Sequence, residues 1–385
     1  MKNISRVSNK KNIEDKIVVC HLSNYAATFY GNFMASLFDL EKELITRNLS
    51  DNMVYVFYEN AKNREWVKEM KKNKKIYFLK NTKANSFLAI KNILKSNNIS
   101  HLHLHFCFPI VLIILLKTFV PGIKIIVHHH MHVPQGLGIK VKYYLISNIF
   151  VDMSCAVSNA VYTDLIQYRI KSKKLSCIDN GIVFSRLDIS SDDGKNKYGV
   201  EKNNVLMIYG TQFYRKGVDI AINAVQDIVE KYNIILMIVC QNQDFVLEQV
   251  IKQLNHIPKW ILIVPSQEDI ALYFKMSNIY LTPSRKEAFS YALLESIYCG
   301  TPVIRSNYPG MDRGLPNDIV VSVDDIFSLQ QKIEFVLSLD SDSKEKILSE
   351  QKKYVLQHWS IDIWTNKIIN MYLDIIKADT AHNAS

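Results

Sequence analysis

Short apolar runs and longer amphipathic stretches alternate along the whole chain. The apolar runs include KIVVCHLS (Lys16–Ser23) and IKIIVH in the first half, and NVLMIYG (Asn204–Gly210), WILIVP and PVIRS in the second half. Stretches with helical periodicity lie between them, for example residues 32–47 and 85–95. Continuous β-rich runs separated by helices are typical of parallel sheets that are covered on both faces. The pattern therefore predicts two doubly wound α/β domains.

The domain boundary is predicted in the polar segment 185–204, which is rich in Ser, Asp, Asn and Lys. It separates an N-terminal Rossmann-like domain (1–184) from a C-terminal Rossmann-like domain (205–340). A helical region (341–385) follows the second domain. That region has one apolar face and is expected to cross back to the first domain. The face consists of Trp364, Ile368, Ile369, Tyr372 and Ile375. Ligands of open α/β sheets bind beyond the carboxyl ends of the strands, so the cleft between the two sheets is the expected site.

Composition narrows the class of protein. With 385 residues, 48% of them apolar and 22% charged, the chain is long enough for two well-packed domains. Its net charge of +10 indicates an anionic partner, but lysines dominate and are mostly dispersed, which argues against specific nucleic-acid recognition. Six widely spaced cysteines and a polar N-terminus without the apolar core of a signal peptide favour a cytoplasmic enzyme, with or without contact at the inner face of the plasma membrane.

One candidate anion site lies in MIYGTQFYRKGVDIAINAV (Met207–Val225). The pattern predicts a strand that ends at Gly210, a loop, and a helix that begins near Gly217. Arg215 and Lys216 would then lie at the positive end of that helix, where the helix dipole disfavours cations. An anion would change this, because the helix amides, the guanidinium and the ammonium would converge on a phosphate. Two solvated surface cations are the alternative.

The segment PSRKEAFSYALLESIYCGTPVIRS (Pro283–Ser306) has the same order of strand, loop and helix. Ser290 is predicted as the N-cap of the helix and Gly300 as its C-cap, which places Glu287 in the cleft. Glu295 lies within the helix, and its i±3 and i±4 neighbours include no cation. A buried carboxylate needs donors, and a vicinal diol such as a ribose would supply two. A salt bridge to a lysine distant in sequence is the alternative.

Histidines cluster in two segments of the first half. IVHHHMHVPQG follows a strand, and HLHLHF lies within one. Such a cluster raises a zinc hypothesis, but no Cys, Asp or Glu joins it at ligand spacing. We therefore expect no metal site and expect His128 to hydrogen-bond a sugar or a phosphate. The histidines concerned are His101, His103, His105, His128, His129, His130 and His132.

Taken together, these stretches resemble the glycosyltransferase family 4 pattern on the GT-B architecture, in which two Rossmann-like domains face each other across a nucleotide sugar. Glu287 and Glu295 match the two glutamates of the family, with seven residues between them, and Gly-Thr-Pro-Val follows from Gly300. YGTQFYRKGVD resembles the Gly-Arg-Leu-x-x-x-Lys-Gly loop of the family. CAVSNAVYTDL and DNGI resemble its Val-Ser and Asn-Gly-Ile segments. The matches occur in the family order and span most of the chain.

The resemblance implies a role for each matched residue. Lys216 would bind the donor diphosphate and Glu295 the ribose hydroxyls. Glu287 and His128 would lie at the transferred sugar. The chain departs from the family at Thr211, where the family has an arginine, and this leaves Arg215 as a substitute. The remaining donor contacts are expected at Ala288, Phe289 and Ser290 for the sugar and phosphates, at Gly31 for a phosphate, where a mere turn is the alternative, and at Val264 and Pro265 for the nucleobase.

The expected activity is retaining transfer of a sugar from a nucleotide-diphosphate sugar, with UDP the favoured nucleotide, to a glycan, lipid-linked or cell-envelope polysaccharide acceptor. No cofactor or obligatory metal is expected. The basic segment NREWVKEMKKNKK (Asn63–Lys75), which contains Trp66, is either a contact for anionic lipid or a solvated charged face. A non-hydrolysing nucleotide-sugar epimerase and a catalytically silent GT-B subunit that supports a partner transferase are the alternative functions.

Overall fold

Seven parallel strands form the sheet of the first domain. The protein is described by a computed structural model over residues 16–80, 86–188, 194–308 and 314–383, with side chains as far as residue 378. The strand order across the sheet is 3-2-1-4-5-6-7 in chain order. The strands are β1 (Val19–Ser23), β2 (Val54–Tyr58), β3 (Lys75–Leu79), β4 (His101–His105), β5 (Lys124–His129), β6 (Met153–Ala156) and β7 (Leu175–Cys177).

The second domain contains a six-stranded parallel sheet with the strand order 10-9-8-11-12-13. Its strands are β8 (Asn204–Tyr209), β9 (Ile234–Cys240), β10 (Ile261–Pro265), β11 (Ile279–Thr282), β12 (Val303–Ser306) and β13 (Ile319–Val321). In both sheets the strand order reverses next to the first strand of the domain. This doubly wound topology opens a crevice at the carboxyl ends of the strands.

Helices cover both faces of the first sheet. They are α1 (Gly31–Thr46), α2 (Glu65–Met70), α3 (Phe87–Ser96), α4 (Ile110–Phe119), α5 (Leu137–Ile149) and α6 (Asn159–Gln167). Residues of α3, α4 and α5 share one buried cluster with the face of β1 that carries Cys20 and Leu22. Residues of α1 and α2 pack on the opposite face. The alternation of side chains along each strand assigns them to these two cores.

The helices of the second half follow the same plan. They are α7 (Gly194–Tyr198), α8 (Phe213–Lys216), α9 (Val218–Gln226), α10 (Val229–Tyr232), α11 (Gln243–Leu254), α12 (Ala271–Met276), α13 (Tyr291–Tyr298), α14 (Ile326–Ser338), α15 (Ser341–Trp359) and α16 (Ile361–Asn383). None of the helices in the described ranges combines the length and hydrophobicity that a membrane span requires.

The chain crosses between the domains twice, at neighbouring positions. The backbone N–H of Ile182 donates to the carbonyl of Trp359 at 2.8 Å, so the outgoing and returning segments lie side by side. The side chain of Asn32, in the first turn of α1, donates to the carbonyl of Gly181 at 2.7 Å and accepts from the N–H of Val183 at 2.9 Å. These bonds fix the crossing to the wall of the cleft.

The last helix returns to the first domain and packs against α1. Its predicted apolar face is the face that is buried, and the hydroxyl of Tyr372 lies 2.7 Å from Nδ1 of His103 in β4. The helix α15 remains on the second domain, where Trp359 joins the core. The C-terminal region therefore contributes to the cores of both domains.

The predicted fold class is confirmed: two doubly wound parallel-sheet domains are followed by C-terminal helices. The edge strands β7 and β13 were not anticipated. Each has three residues, and so short a run carries too little periodicity to separate it from a loop.

Gly217 connects α8 to α9 at a point where the backbone of the second domain is tightly packed. Its φ is +72°, and a Cβ added there would lie 2.2 Å from the carbonyl oxygen of Pro283. Both the left-handed conformation and the close approach require glycine. The Lys216 loop and the loop after β11 are thereby held together.

We predict that Gly217→Ala destabilises the protein by about 2 kcal/mol or more, because it combines backbone strain with a steric clash. The matched control is Gly122→Ala, since Gly122 has a φ of +80° with no atom within 4 Å of an added Cβ. Thermal unfolding of the two variants should show the larger loss for Gly217→Ala. Equal losses would mean that the contact with Pro283 does not constrain the loop.

Candidate functional site

A cleft of about 550 Å³ lies at the carboxyl ends of the two sheets. The loop after β5 forms one wall, and the loops after β8 and β11 form the other. A smaller pocket of about 240 Å³ adjoins it and shares Tyr209, Tyr291 and Glu295 as lining residues. The cleft brings together most of the residues singled out in the sequence, namely Thr211, Arg215, Lys216, Glu287, Ala288, Phe289, Ser290 and Glu295.

Glu287 is the electrostatic centre of the cleft. Its carboxylate is buried, yet Nζ of Lys216 lies 2.5 Å from Oε1 and a terminal nitrogen of Arg215 lies 3.0 Å from Oε2. The hydroxyl of Ser284 also donates to Oε1, at 3.0 Å. Burial opposes ionisation, but the two cations outweigh it and lower the pKa of Glu287. The group is an anion between two cations at neutral pH.

Backbone and side-chain bonds join the two loops that carry this cluster. The N–H of Arg285 donates to the carbonyl of Arg215 at 2.9 Å, and the guanidinium of Arg215 donates to the carbonyl of Lys286 at 2.6 Å. Arg285 also binds both carboxylate oxygens of Asp219, in the first turn of α9, at 2.9 and 2.8 Å. Lys216 and Arg215 therefore have a fixed position opposite Glu287.

The predicted helix at Gly217 is two helices. The short helix α8 contains Arg215 and Lys216 itself, and α9 begins after the left-handed turn at Gly217. Both cations still lie beside the N-terminus of α9, as the sequence indicated. Arg215 occupies a place next to Lys216 at Glu287, while Thr211, which stands at the position of the expected arginine, lines the same cleft.

Glu295 has a partner within the protein, contrary to the ligand-only interpretation. Arg186 forms an ion pair with it, which is the salt-bridge alternative with an arginine in place of a lysine. Burial raises the pKa of Glu295, and the Arg186 guanidinium limits that rise. Nε of Arg186 is buried and has no hydrogen-bond partner within the described ranges. No sequence pattern indicated Arg186, which lies 109 residues away in the polar boundary segment.

Ser290 is the N-cap residue of α13, as predicted, and its backbone is extended. Its side chain makes no capping hydrogen bond, and its buried hydroxyl has no partner among the described residues. The predicted position is therefore confirmed, but the hydroxyl does not serve as the cap. An unsatisfied buried hydroxyl at the wall of the cleft is suited to a polar ligand.

His128 does not line the cleft. It lies within β5, is buried, and its Nε2 is 3.6 Å from the Sγ of Cys155. Burial, followed by the charge of His129, lowers the pKa of His128 to about 3. The placement of His128 beside a bound sugar is therefore wrong, because β5 extends one residue past it and turns its ring into the core.

His130 and His132 occupy the cleft wall instead. Nδ1 of His132 donates to the carboxylate of Asp164 at 2.7 Å, which orients the ring. Nε2 lies 3.0 Å from the backbone carbonyl of Glu287 in the other domain. In the sequence, only their positions distinguish the two histidines. His132 lies in the loop beyond the strand, whereas His128 lies inside the strand.

The histidines of β1, β4 and β5 form a packed cluster behind the cleft, which His130 joins from the cleft wall. Nδ1 of His21 lies 2.8 Å from Nε2 of His105, and Nδ1 of His105 lies 3.0 Å from Nε2 of His130. Burial lowers the pKa of each of these rings. Two triads, His21–His103–His105 and His105–His128–His130, are close enough to share an ion, but neither includes a carboxylate. The absence of a metal site stays a prediction.

The smaller pocket accounts for the remaining predicted residues. Gly31 lines it with a φ of +61°. Val264 and Pro265 do not line this pocket. Val264 is buried in β10, and the carbonyl of Pro265 accepts a hydrogen bond from Tyr273 at 2.7 Å. The loop that follows them lines the pocket with Ser266, Gln267 and Glu268, and Gln241 lies beside it. The contact of this region with a nucleobase stays a prediction.

The basic segment 63–75 is not an exposed amphipathic surface. Trp66 is buried, and its Nε1 donates to the carbonyl of Ala27 at 3.0 Å. Lys68, Lys72 and Lys74 form ion pairs with Glu65, Glu69 and Glu41 at 2.5 to 2.6 Å. Of the two alternatives for this segment, these contacts favour the solvated charged face, because the aromatic side chain faces inward and these lysines have acidic partners.

Two family descriptions match this chain, consecutively and over most of its length. The description "Glycosyltransferase Family 4" matches residues 56–186, and "Glycosyl transferases group 1" matches residues 190–354. The chain belongs to the group 1 and family 4 glycosyltransferases of the GT-B fold.

Individual relatives are distant. The N-acetyl-alpha-D-glucosaminyl L-malate synthase of Bacillus anthracis is 25% identical over 57% of this chain and 59% of its own length. The capsular polysaccharide biosynthesis glycosyltransferase CapM of Staphylococcus aureus is 24% identical over 59% of this chain and 64% of its own length. The chain thus spans less than two thirds of these curated relatives.

A solved structure shares the complete fold. Anabaena Alr3699/HepE, in complex with UDP-glucose, superposes with a TM-score of 0.75 over 93% of this chain and 100% of its own, at 16% identity. At this level of identity the likeness concerns the fold alone.

We predict that Arg186→Met lowers the free energy of unfolding at pH 7 by about 3 kcal/mol, because it leaves a buried carboxylate without its cation. The loss should shrink as the pH falls. Without Arg186 the folded-state pKa of Glu295 rises further above its ordinary value of 4.5, so the native state binds the extra proton and the penalty disappears at low pH.

The measurement is denaturant unfolding of both proteins between pH 4.5 and 7. The matched control is Arg186→Met combined with Glu295→Gln, which should lose this pH dependence. A deficit that is the same at every pH would contradict the pairing of Arg186 with Glu295.

Proposed function

We propose that this protein is a retaining glycosyltransferase that moves a sugar from a UDP-sugar to a glycan, lipid-linked or cell-envelope polysaccharide acceptor. The observation that carries the proposal is the pairing of the buried Glu287 with Lys216 and Arg215 at the carboxyl ends of the strands. Family membership and the two-domain cleft support it.

The cluster suits a diphosphate. Lys216 and Arg215 already converge beside the N-terminus of α9, so the donor phosphates would meet two side-chain cations and a helix dipole in one place. The cations would then be shared between the phosphates and Glu287. Glu287 would remain within reach of the transferred sugar, and Ser290 would offer its unsatisfied hydroxyl.

The nucleoside would occupy the smaller pocket. Glu295 lies at the junction of the two pockets, where its carboxylate can accept from the ribose hydroxyls while Arg186 compensates its charge. The base would lie against Gln241 and the loop 266–268, which offer amide and hydroxyl groups suited to a pyrimidine edge. The complex of HepE with UDP-glucose and the capsular role in the name of CapM favour UDP and a polysaccharide acceptor.

Catalysis would rest on electrostatic stabilisation of the leaving group. As the bond between the sugar and the diphosphate breaks, negative charge grows on the phosphate, and Lys216, Arg215 and the amides of α9 are positioned to stabilise it. Glu287 would stabilise or orient the positively polarised sugar. No covalent bond between Glu287 and the sugar is proposed. His132, held by Asp164 against the backbone of Glu287, would position this loop.

We expect Lys216→Ala to weaken UDP binding by about tenfold or more, because it removes a charge-assisted contact to the diphosphate. Uridine, which lacks phosphate, should bind the variant as it binds the wild type. Glu295→Gln should weaken both ligands. Isothermal titration calorimetry measures all four combinations.

The matched control is Lys231→Ala, which removes an exposed lysine of the same domain that pairs with Glu334. It should bind UDP normally. Undiminished UDP affinity in both Lys216→Ala and Glu295→Gln would contradict the assignment of the donor site.

We also expect transfer to continue in EDTA, because Lys216 and Arg215 supply the positive charge at the diphosphate that a divalent cation provides in metal-dependent transferases. The measurement is product formation from a UDP-sugar, with the anomeric configuration read by NMR spectroscopy. Loss of activity in EDTA that added Mg²⁺ or Mn²⁺ restores would contradict the metal-free proposal. An inverted anomeric centre would contradict retention, and conversion of the donor without acceptor would indicate an epimerase.

A further inference from the structure

The helix α5 exposes a continuous apolar stripe. Leu137, Val141, Leu145 and Ile149 recur every four residues and are 80%, 50%, 44% and 60% exposed, and Tyr144 is exposed beside them. The opposite side of the helix packs inward, where Tyr143 stacks on Phe108 with 4.3 Å between ring centroids and Ile146 enters the core. The helix α5 therefore has two apolar faces. One packs against the domain and stabilises the fold, and the other is the exposed stripe.

Two neighbouring helices extend the stripe. The helix α4 packs against both α3 and α5, and Phe119 of α4 lies against Phe87 of α3 with 5.8 Å between ring centroids. We define the apolar face as the exposed large side chains of these three helices, which are Leu88, Val111, Phe119, Leu137, Val141, Tyr144, Leu145 and Ile149. Exposed apolar surface of this extent on one side of a domain marks an interaction surface.

The charge of the same region is one-sided. The three helices α3, α4 and α5 contain five lysines and no aspartate or glutamate. Lys95 on α3 and Lys142 on α5 are exposed and form no ion pair with any residue in the described parts of the chain. An apolar stripe flanked by unpaired lysines is the combination that binds the interface of an anionic bilayer.

A second copy of this chain fits the face less well. A two-fold dimer would bring the same surface against itself, so the lysines would meet lysines without a compensating acid from the region. An anionic bilayer offers both the apolar depth and the opposite charge. None of the described helices spans a membrane, so contact would be along the surface.

We propose that the apolar face of α3, α4 and α5 docks the protein on an anionic lipid bilayer and delivers a lipid-linked acceptor to the cleft. The loop that leads into α5 begins at the cleft: Met131 lines it and is 62% exposed. Five residues, 132–136, separate Met131 from Leu137, the first residue of the stripe. Membrane docking would specify a lipid-linked acceptor among the acceptors of the proposed function, and it rests on that function.

The experiment is vesicle flotation of the full chain with phosphatidylglycerol-containing and pure phosphatidylcholine vesicles. The wild type should bind the anionic vesicles, and the triple variant Leu137→Ser, Val141→Ser, Leu145→Ser should partition into them at least tenfold less, because three apolar side chains no longer insert. Lys95→Gln with Lys142→Gln should weaken binding to anionic vesicles at low salt by roughly threefold to tenfold.

The matched control is Phe245→Ser with Ile251→Ser, which removes exposed apolar side chains of α11 in the other domain and should leave binding unchanged. Circular dichroism and thermal unfolding of every variant, compared with the wild type, show that each is folded. Vesicle binding by the triple variant equal to that of the wild type would overturn the proposal. So would a wild-type dimer that the triple variant dissociates.

The two proposals fail separately. Vesicle binding that depends on the apolar face, in a protein that does not bind UDP, would retain the docking surface and remove the donor site. Normal UDP binding without vesicle binding would retain the donor site and remove the docking surface.

Discussion

A carboxylate buried at the end of a parallel sheet stays ionised only where cations meet it, and the second domain is built around this requirement at Glu287. Lys216 and Arg215 reach it from the loop after β8, and the left-handed turn at Gly217 packs that loop against Pro283. Positive charge therefore has a fixed place in the cleft, independent of any ligand. A site organised in this way can bind phosphate without first reorganising its own charges.

The position of the cleft depends on how the two domains are joined. Asn32 binds the outgoing crossing on both sides of Ile182, and the returning crossing at Trp359 lies against it. The helix α16 then packs against α1, so the wall that carries the smaller pocket is supported from behind. Sequence elements more than 300 residues apart thus shape one pocket wall. The bond between Tyr372 and His103 joins α16 to β4 across a further long separation, of 269 residues.

The fold could be predicted because its pattern is local. Parallel strands buried on both faces read as apolar runs, and the polar boundary segment separates two sets of them. The loop residues Lys216 and Glu287 could be placed in one cleft for a related reason, since strand ends in such sheets meet at one edge. The edge strands β7 and β13 escaped because three residues carry no clear period. His128 was misplaced because one extra strand residue decides whether a ring faces the core or the cleft.

The architecture, the domain order, the cleft and the pair of loops that carry Lys216 and Glu287 follow from short-range patterns in the amino-acid sequence. The groups that compensate one another follow instead from the packing of distant segments. Arg186 meets Glu295 across 109 residues, His132 takes the place expected of His128, and Trp66 turns inward while α5 exposes its stripe. Such pairings depend on the three-dimensional path of the chain, since burial and charge compensation are set by neighbours in space.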